Sequence, residues 1–134
     1  MILAALALAA SSRPSPREVV TRYYAAIAHR DYAAAYRLWD RHGAASGKTA
    51  AAFARGFARS RLVRARIGEE TDTEGAAGSV FVTVPVEVRA VLADGTRQHF
   101  VGRYVLRRVN DVPGASAEQL RWHLSSADMR PTRP

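Results

Sequence analysis

The sequence predicts an α+β fold, with three N-terminal helices followed by a mostly antiparallel sheet of about four strands. Up to Ser60, apolar residues recur every three or four positions, the period of a helix packed on one side. Beyond Ser60 the period becomes two, and Val80, Val82, Val84, Val86 and Val88 alternate without a break. Asp94-Gly95 then separates two long alternating runs and marks a hairpin turn. Helices first and strands afterwards define the α+β class. A chain of 134 residues, 48% of them apolar, is the size of one ordered domain.

Helix 1 is expected over residues 16–29. Ser15 can accept from the backbone N–H of Glu18, Glu18 can reach back, and Pro16 occupies the first helical position, where no N–H is needed. Val20, Tyr23, Tyr24 and Ile27 form its apolar stripe. Asp31 caps helix 2, where Tyr32, Ala35, Tyr36 and Trp39 repeat the pattern and end near Asp40. Residues 41–48 read as a loop. Thr49 caps helix 3, in which Phe53 and Phe57 stack one turn apart and Gly56 weakens the centre.

Residues 62–67 alternate weakly and predict a strand. The polar, glycine-containing stretch 71–78 predicts a turn. In the hairpin that follows, a two-residue turn would mix arginines into the valine face. A three-residue loop, Ala93-Asp94-Gly95 with Gly95 left-handed, instead sets Val88 opposite Phe100, Val86 opposite Gly102, Val84 opposite Tyr104 and Val82 opposite Leu106. The other face then carries Glu87, Arg89, His99, Arg103 and Arg107. Pro85 falls on that polar side and predicts an edge, a bulge or a bend. After a loop over 110–118, Leu120, Trp122 and Leu124 alternate on a last strand expected to reach Met129, with the proline-containing tail ending it.

The first twelve residues are a separate object. MILAALALAA is wholly apolar and reads as the remnant of an export leader, with Ala7-Leu8-Ala9 as an A-x-A site. The domain then covers residues 13–134, and the expected location is exported or periplasmic, or cytoplasmic if the segment is no leader. Ser11 stands where a lipobox needs cysteine. No apolar run reaches the roughly 18 residues of a membrane span. The net charge is +8 and the pI about 11.0. Of the 20 basic residues 19 are arginine, and 26 residues are alanine, a pairing typical of GC-rich coding sequence. Because Arg22, Arg37, Arg64, Arg89, Arg108 and Arg130 lie on different segments, they read as a solvated surface and no nucleic-acid partner is expected.

The chemistry is mostly excluded. Without cysteine there is no disulfide, thiolate metal site or cysteine nucleophile. No phosphate loop, HExxH motif or nucleophile elbow occurs. His99 and His123 share the polar sheet face without a placed carboxylate, so no metal or other cofactor is expected. The aromatic residues are expected to converge under the sheet, either as plain core or as an apolar pocket lined by Tyr23, Tyr36, Trp39, Phe53, Tyr104 and Trp122. Asp40, His42 and Asp128 are the polar candidates for its mouth, and no catalytic residue is assigned.

The order Arg22-Tyr23-Tyr24, Asp31-Tyr32 and Leu38-Trp39-Asp40, followed by long strands over 80–92 and 98–109, resembles the nuclear transport factor 2-like superfamily. The resemblance covers about residues 16–129. It implies a sheet curled around the helices into a cone, often with a pocket inside. Some members are isomerases, dehydratases or cyclases; others only bind ligands or proteins, and many dimerise through the sheet. Tyr23 corresponds to the catalytic tyrosine of ketosteroid isomerase, but residues 41–47 contain no carboxylate to act as its base. The inner strand positions 80–88 and 100–106 supply no second acid. The expected function is therefore a non-catalytic domain that binds a small apolar ligand or a protein partner, and a third reading is a dimeric accessory domain, a homodimer through the polar face of the sheet. An isomerase, dehydratase or cyclase is the alternative.

Overall fold

The computed structural model describes residues 13–134, without the side chains of Asp72 and Ala76. Among the described residues three helices, α1 (Pro16–Ala28), α2 (Tyr32–Arg37) and α3 (Ala50–Arg55), precede five strands: β1 (Ser60–Ile67), β2 (Thr71–Ala76), β3 (Ser79–Leu92), β4 (Arg97–Val109) and β5 (His123–Thr132). The strands form one curved antiparallel sheet in the order β1-β3-β4-β5, with β2 also paired to β3. A short 3-10 turn (Ala44–Ser46) lies between α2 and α3.

The caps form where side-chain oxygens meet free helix N–H groups. Ser15 accepts from Glu18, Asp31 from Ala34 and Thr49 from Ala52, each at 3.1 Å. Gly56 ends α3 as its C-cap. Helix α2 stops at Arg37, short of the expected Asp40, because the chain leaves it to pair with the sheet. Leu124 N–H donates to the Leu38 carbonyl and Asp40 N–H to the Leu124 carbonyl, both at 2.8 Å.

The hairpin adopts the register that hydrophobic consistency selects. Val82, Val84, Val86 and Val88 pair with Leu106, Tyr104, Gly102 and Phe100, and Gly95 is left-handed at φ +87°. All four valines are buried and meet Val19, Val20, Tyr23 and Ile27 of α1 in one core. Glu87, Arg89 and Arg103 lie on the opposite face.

Three expectations need correction. Residues 71–76 form strand β2, and the turn contracts to Ala77-Gly78, both with positive φ. A backbone ladder needs no apolar side chains at an outer position, so polarity misdirected the sequence reading. Strands β1 and β2 share one side of β3 end to end, and Pro85 lies where they part. There Gly68 N–H donates to the Pro85 carbonyl at 2.8 Å, and the Gly68 carbonyl, to which a proline cannot donate, accepts from Arg17 Nε at 3.1 Å.

The last strand is the second correction. It starts at His123, so Leu120 and Trp122 precede it, and it runs through Pro131 to Thr132. As the outermost strand, β5 tolerates a proline. The third correction lies within β5. Leu106 pairs with Leu124 but Val105 pairs with Ser126, so one extra residue bulges out. The bulge inverts the alternation, so Asp128 turns outward opposite Arg103 while Met129 turns in against the core.

Strand β5 also sits tightly on β4. A Cβ at Gly102 would lie 1.9 Å from the Asp128 carbonyl oxygen and 2.8 Å from the Met129 Cα. Both are backbone atoms of the neighbouring strand, which a side chain cannot push aside cheaply. We expect Gly102→Val to destabilise the fold by about 2–3 kcal/mol, read as a lower urea midpoint at an unchanged slope.

Candidate functional site

The space under the sheet is occupied by aromatic side chains. Tyr23 of α1 lies at the centre, 5.8 Å from Tyr104 of β4, 6.2 Å from Trp39 and 6.3 Å from Phe53 of α3, centroid to centroid. Trp39 and Tyr104 are themselves 6.1 Å apart. These spacings are those of rings in direct contact. Tyr23, Trp39, Phe53 and Tyr104 are each no more than 7% exposed.

Their polar atoms satisfy one another. The Tyr24 and Tyr104 hydroxyls share a hydrogen bond of 2.6 Å, and Trp39 Nε1–H donates to the Tyr23 hydroxyl at 3.4 Å. Among the described residues no buried side-chain nitrogen or oxygen lacks a partner. Burial pushes the phenols of Tyr23, Tyr24 and Tyr104 far above the usual tyrosine range. They stay neutral and serve as hydrogen-bonding groups, not as bases. Ser79 is the one polar residue in the buried class among the described residues, so no acid or imidazole lies in the buried core beside Tyr23.

The other two aromatic candidates lie at the margins. Tyr36 contacts Phe53 at 5.4 Å and donates its hydroxyl proton to the Lys48 carbonyl at 2.6 Å. Trp122 precedes β5, half-buried, with the Arg108 guanidinium 5.3 Å from its ring centre.

Of the polar candidates, Asp40 and His42 border one cavity of about 230 Å³ together with Arg107, Glu118 and His123. Asp40 accepts from Arg107 Nη1 at 3.0 Å and from the Arg41 N–H at 3.1 Å. Glu118 accepts from His123 at 2.7 Å and from Arg121 at 3.3 Å. Both carboxylates are thus already engaged by cations. His42 is exposed in a left-handed run, Arg41, His42 and Gly43 having φ of 55°, 56° and 99°. Asp128 is elsewhere, on the outer face near Arg103 at 3.8 Å and Arg130 at 3.7 Å.

His99 and His123 are not neighbours: they pair with Thr132 and Arg107 at opposite ends of β4. His99 bonds Glu87 at 3.0 Å and the Arg133 carbonyl at 3.0 Å. That hydrogen bond, aided by Arg89, holds the Glu87 carboxyl below its usual range. Among the described residues no group of three histidines and carboxylates could hold a metal ion.

Sequence reasoning missed an open groove of about 920 Å³ between α1, α2 and residues 117–123. Val19, Leu38, Leu120 and Trp122 give it an apolar lining, and Arg13, Arg22, Arg37 and Arg121 border it. Dispersal along the chain concealed this cluster. The available signal was local: Arg22 follows Val19 by three residues and Arg37 adjoins Leu38, each setting a cation beside an apolar helix position.

No protein-family model and no curated protein matches the sequence. Solved structures match over most of its length. The Kfla4162 protein from Kribbella flavida has a TM-score of 0.59 at 17% identity, covering 87% of each chain. A proposed dehydratase of the NTF2-like family from Streptomyces avermitilis has a TM-score of 0.54 at 16% identity, covering 85% of this chain and 91% of that one. The fold is the nuclear transport factor 2-like fold. A proposed scytalone dehydratase from Novosphingobium aromaticivorans shares it with a TM-score of 0.56 at 12% identity, covering 86% of this chain and 80% of that one. Within this nuclear transport factor 2-like fold, the interior of the cone is filled by the Tyr23 cluster. Among the described residues no helix is long and apolar enough to cross a membrane.

In an alkaline titration followed by tyrosinate absorbance, Tyr23, Tyr24 and Tyr104 should ionise only as the protein unfolds. Tyr24→Phe should lower stability by about 1 kcal/mol, because it removes the Tyr24–Tyr104 hydrogen bond. Glu87 has its folded pKa below 4.5, so its stabilisation is full above that value and is lost as pH falls through the folded pKa. Between about pH 5 and pH 3, the wild-type melting temperature should therefore fall further than that of Glu87→Gln.

Proposed function

We propose that this domain is a non-catalytic binding module, and that a small organic ligand occupies the groove between α1, α2 and residues 117–123. One observation carries the reading: aromatic side chains fill the cone while a ligand-sized space lies outside it. A volume of about 920 Å³ falls within the range of small-molecule sites. The filled interior supplies neither a base nor an acid beside Tyr23, and general acid–base chemistry needs such a group within hydrogen-bond reach of the reacting atom.

Two other readings have their own observations. An isomerase, dehydratase or cyclase draws support from the cavity shared by Asp40, His42, Glu118 and His123, and from the proposed dehydratases of the same fold. The ion pairs of Asp40 and Glu118 weigh against it. A homodimer through the sheet draws support from the outer face, where Leu62 and Val101 are 47% and 41% exposed. Residues 1–12, outside the described residues, begin with ten apolar residues that fit an export leader, which would place the domain outside the cytoplasm; N-terminal sequencing of the mature protein tests that.

The groove reading is tested by filling the groove. Ala34 borders it from α2 and is only partly exposed. Small organic compounds that raise the wild-type melting temperature should fail to stabilise Ala34→Trp, whose own unfolding should stay cooperative. Compounds that stabilise both proteins equally, or none that stabilise the wild type, would overturn the proposal.

A further inference from the structure

We infer that the occupant of this groove is an organic anion, its acidic group held by Arg22 and Arg37 and its apolar body lying on Val19, Leu38 and Trp122. The inference rests on the groove being a binding site and adds the chemical class of the ligand.

The charges bordering the groove are unbalanced. Four arginines face one carboxylate, that of Glu118. Two of the four are neutralised within the fold. Arg13 pairs with Asp111 at 3.2 Å and donates to the Leu120 carbonyl at 3.0 Å, and Arg121 pairs with Glu118 at 3.3 Å. Glu118 is further engaged by His123 at 2.7 Å, which leaves it little capacity for another cation.

Arg22 and Arg37 are different. Neither makes an ion pair or a side-chain hydrogen bond among the described residues. Glu18 lies one turn before Arg22, the spacing that favours a pair, yet no such pair forms. Residues 1–12 contain no carboxylate, so that segment cannot neutralise them. One guanidinium comes from α1 and the other from α2, so like charges face a common groove from two packed helices. Repulsion between them is relieved by an anion, and a guanidinium binds carboxylate, sulfonate or phosphate oxygens in a two-pronged geometry.

The apolar part follows from the same lining. Val19 is 4% exposed and Leu38 is half-buried, so the floor is part of the core and not a mobile surface. Trp122 is held by Arg108 and offers an extended apolar body at the groove. A bare inorganic ion would leave this lining in water. An uncharged hydrocarbon would leave both arginines unpaired. An acid with an apolar or aromatic body satisfies both.

Two fluorescent probes of one skeleton separate these contributions. Anilinonaphthalenesulfonate is the anion, and N-phenylnaphthylamine is the same framework without the sulfonate. We expect the anion to bind the wild type at least about tenfold more tightly, since charge-assisted hydrogen bonds are the stronger kind. The double variant Arg22→Gln/Arg37→Gln should bring the two probes to similar affinity while leaving the binding of the neutral one unchanged. The double variant Arg22→Lys/Arg37→Lys should recover part of the preference, and the pair Arg66→Gln/Arg130→Gln, outside the groove, should keep all of it. Added salt should weaken only the anion.

Equal affinity of both probes for the wild type, with both lost in Ala34→Trp, would overturn the anion inference and leave the groove as a binding site. Binding that ignores Ala34→Trp would overturn the groove reading and this inference together. An anion preference that survives removal of Arg22 and Arg37 would place the charge elsewhere and also overturn it.

Discussion

The pairing of Val84 with Tyr104 orients most of what lies around it. Strand side chains alternate, so one correct pair commits the whole β3–β4 hairpin to a single face. Val82, Val84, Val86, Val88, Tyr104 and Leu106 then point the same way, and only the apolar stripe of α1 can cover them. Tyr23 is carried into contact with Tyr104, and Trp39 and Phe53 close around it. A slip of one residue would turn Arg103 and Val105 inward, and burying an unpaired guanidinium would cost far more than the hairpin gains.

Filling the cone has consequences for function. Large rings in mutual contact stabilise the core through area and packing, and each hydroxyl meets another aromatic group. Among the described residues, such a core holds no acid or imidazole beside Tyr23. An open groove lies on the outside, where the first helices meet the segment leading into β5. That boundary is where two helices and an irregular segment cannot pack flush. Trp122 lies at the end of that segment, with the Arg108 guanidinium 5.3 Å from its ring centre.

The outer face of the sheet shows how a single bulge reassigns a residue. Asp128 belongs by alternation to the Leu124 face, which made it a candidate for the mouth. The extra residue at Ser125-Ser126 inverts that parity, and Asp128 instead joins Arg103 and Arg130 in water. Exposed pairs of this kind contribute little stability. Their effect is to keep the outward face polar around Val101. Strand β2 is the complementary case: its sequence is mostly polar, yet a ladder to β3 forms from backbone groups.

The sequence by itself determined the helix starts, the change of period after Ser60, and the hairpin register with a left-handed Gly95. Those features are local: a cap needs one side chain, and a register needs only the alternation of two neighbouring strands. It also brought Tyr23, Trp39, Phe53 and Tyr104 together under the sheet, because each sits on an apolar stripe. The tertiary structure alone decided whether these rings enclose space or fill it, since close packing depends on distances that no spacing along a chain encodes. It alone revealed the β5 bulge, whose extra residue has no sequence signature. It also gathered Arg13, Arg22, Arg37 and Arg121, remote in sequence, around one groove. Charges have no periodicity to announce their meeting, and only the packing of α1, α2 and residues 117–123 gathers them.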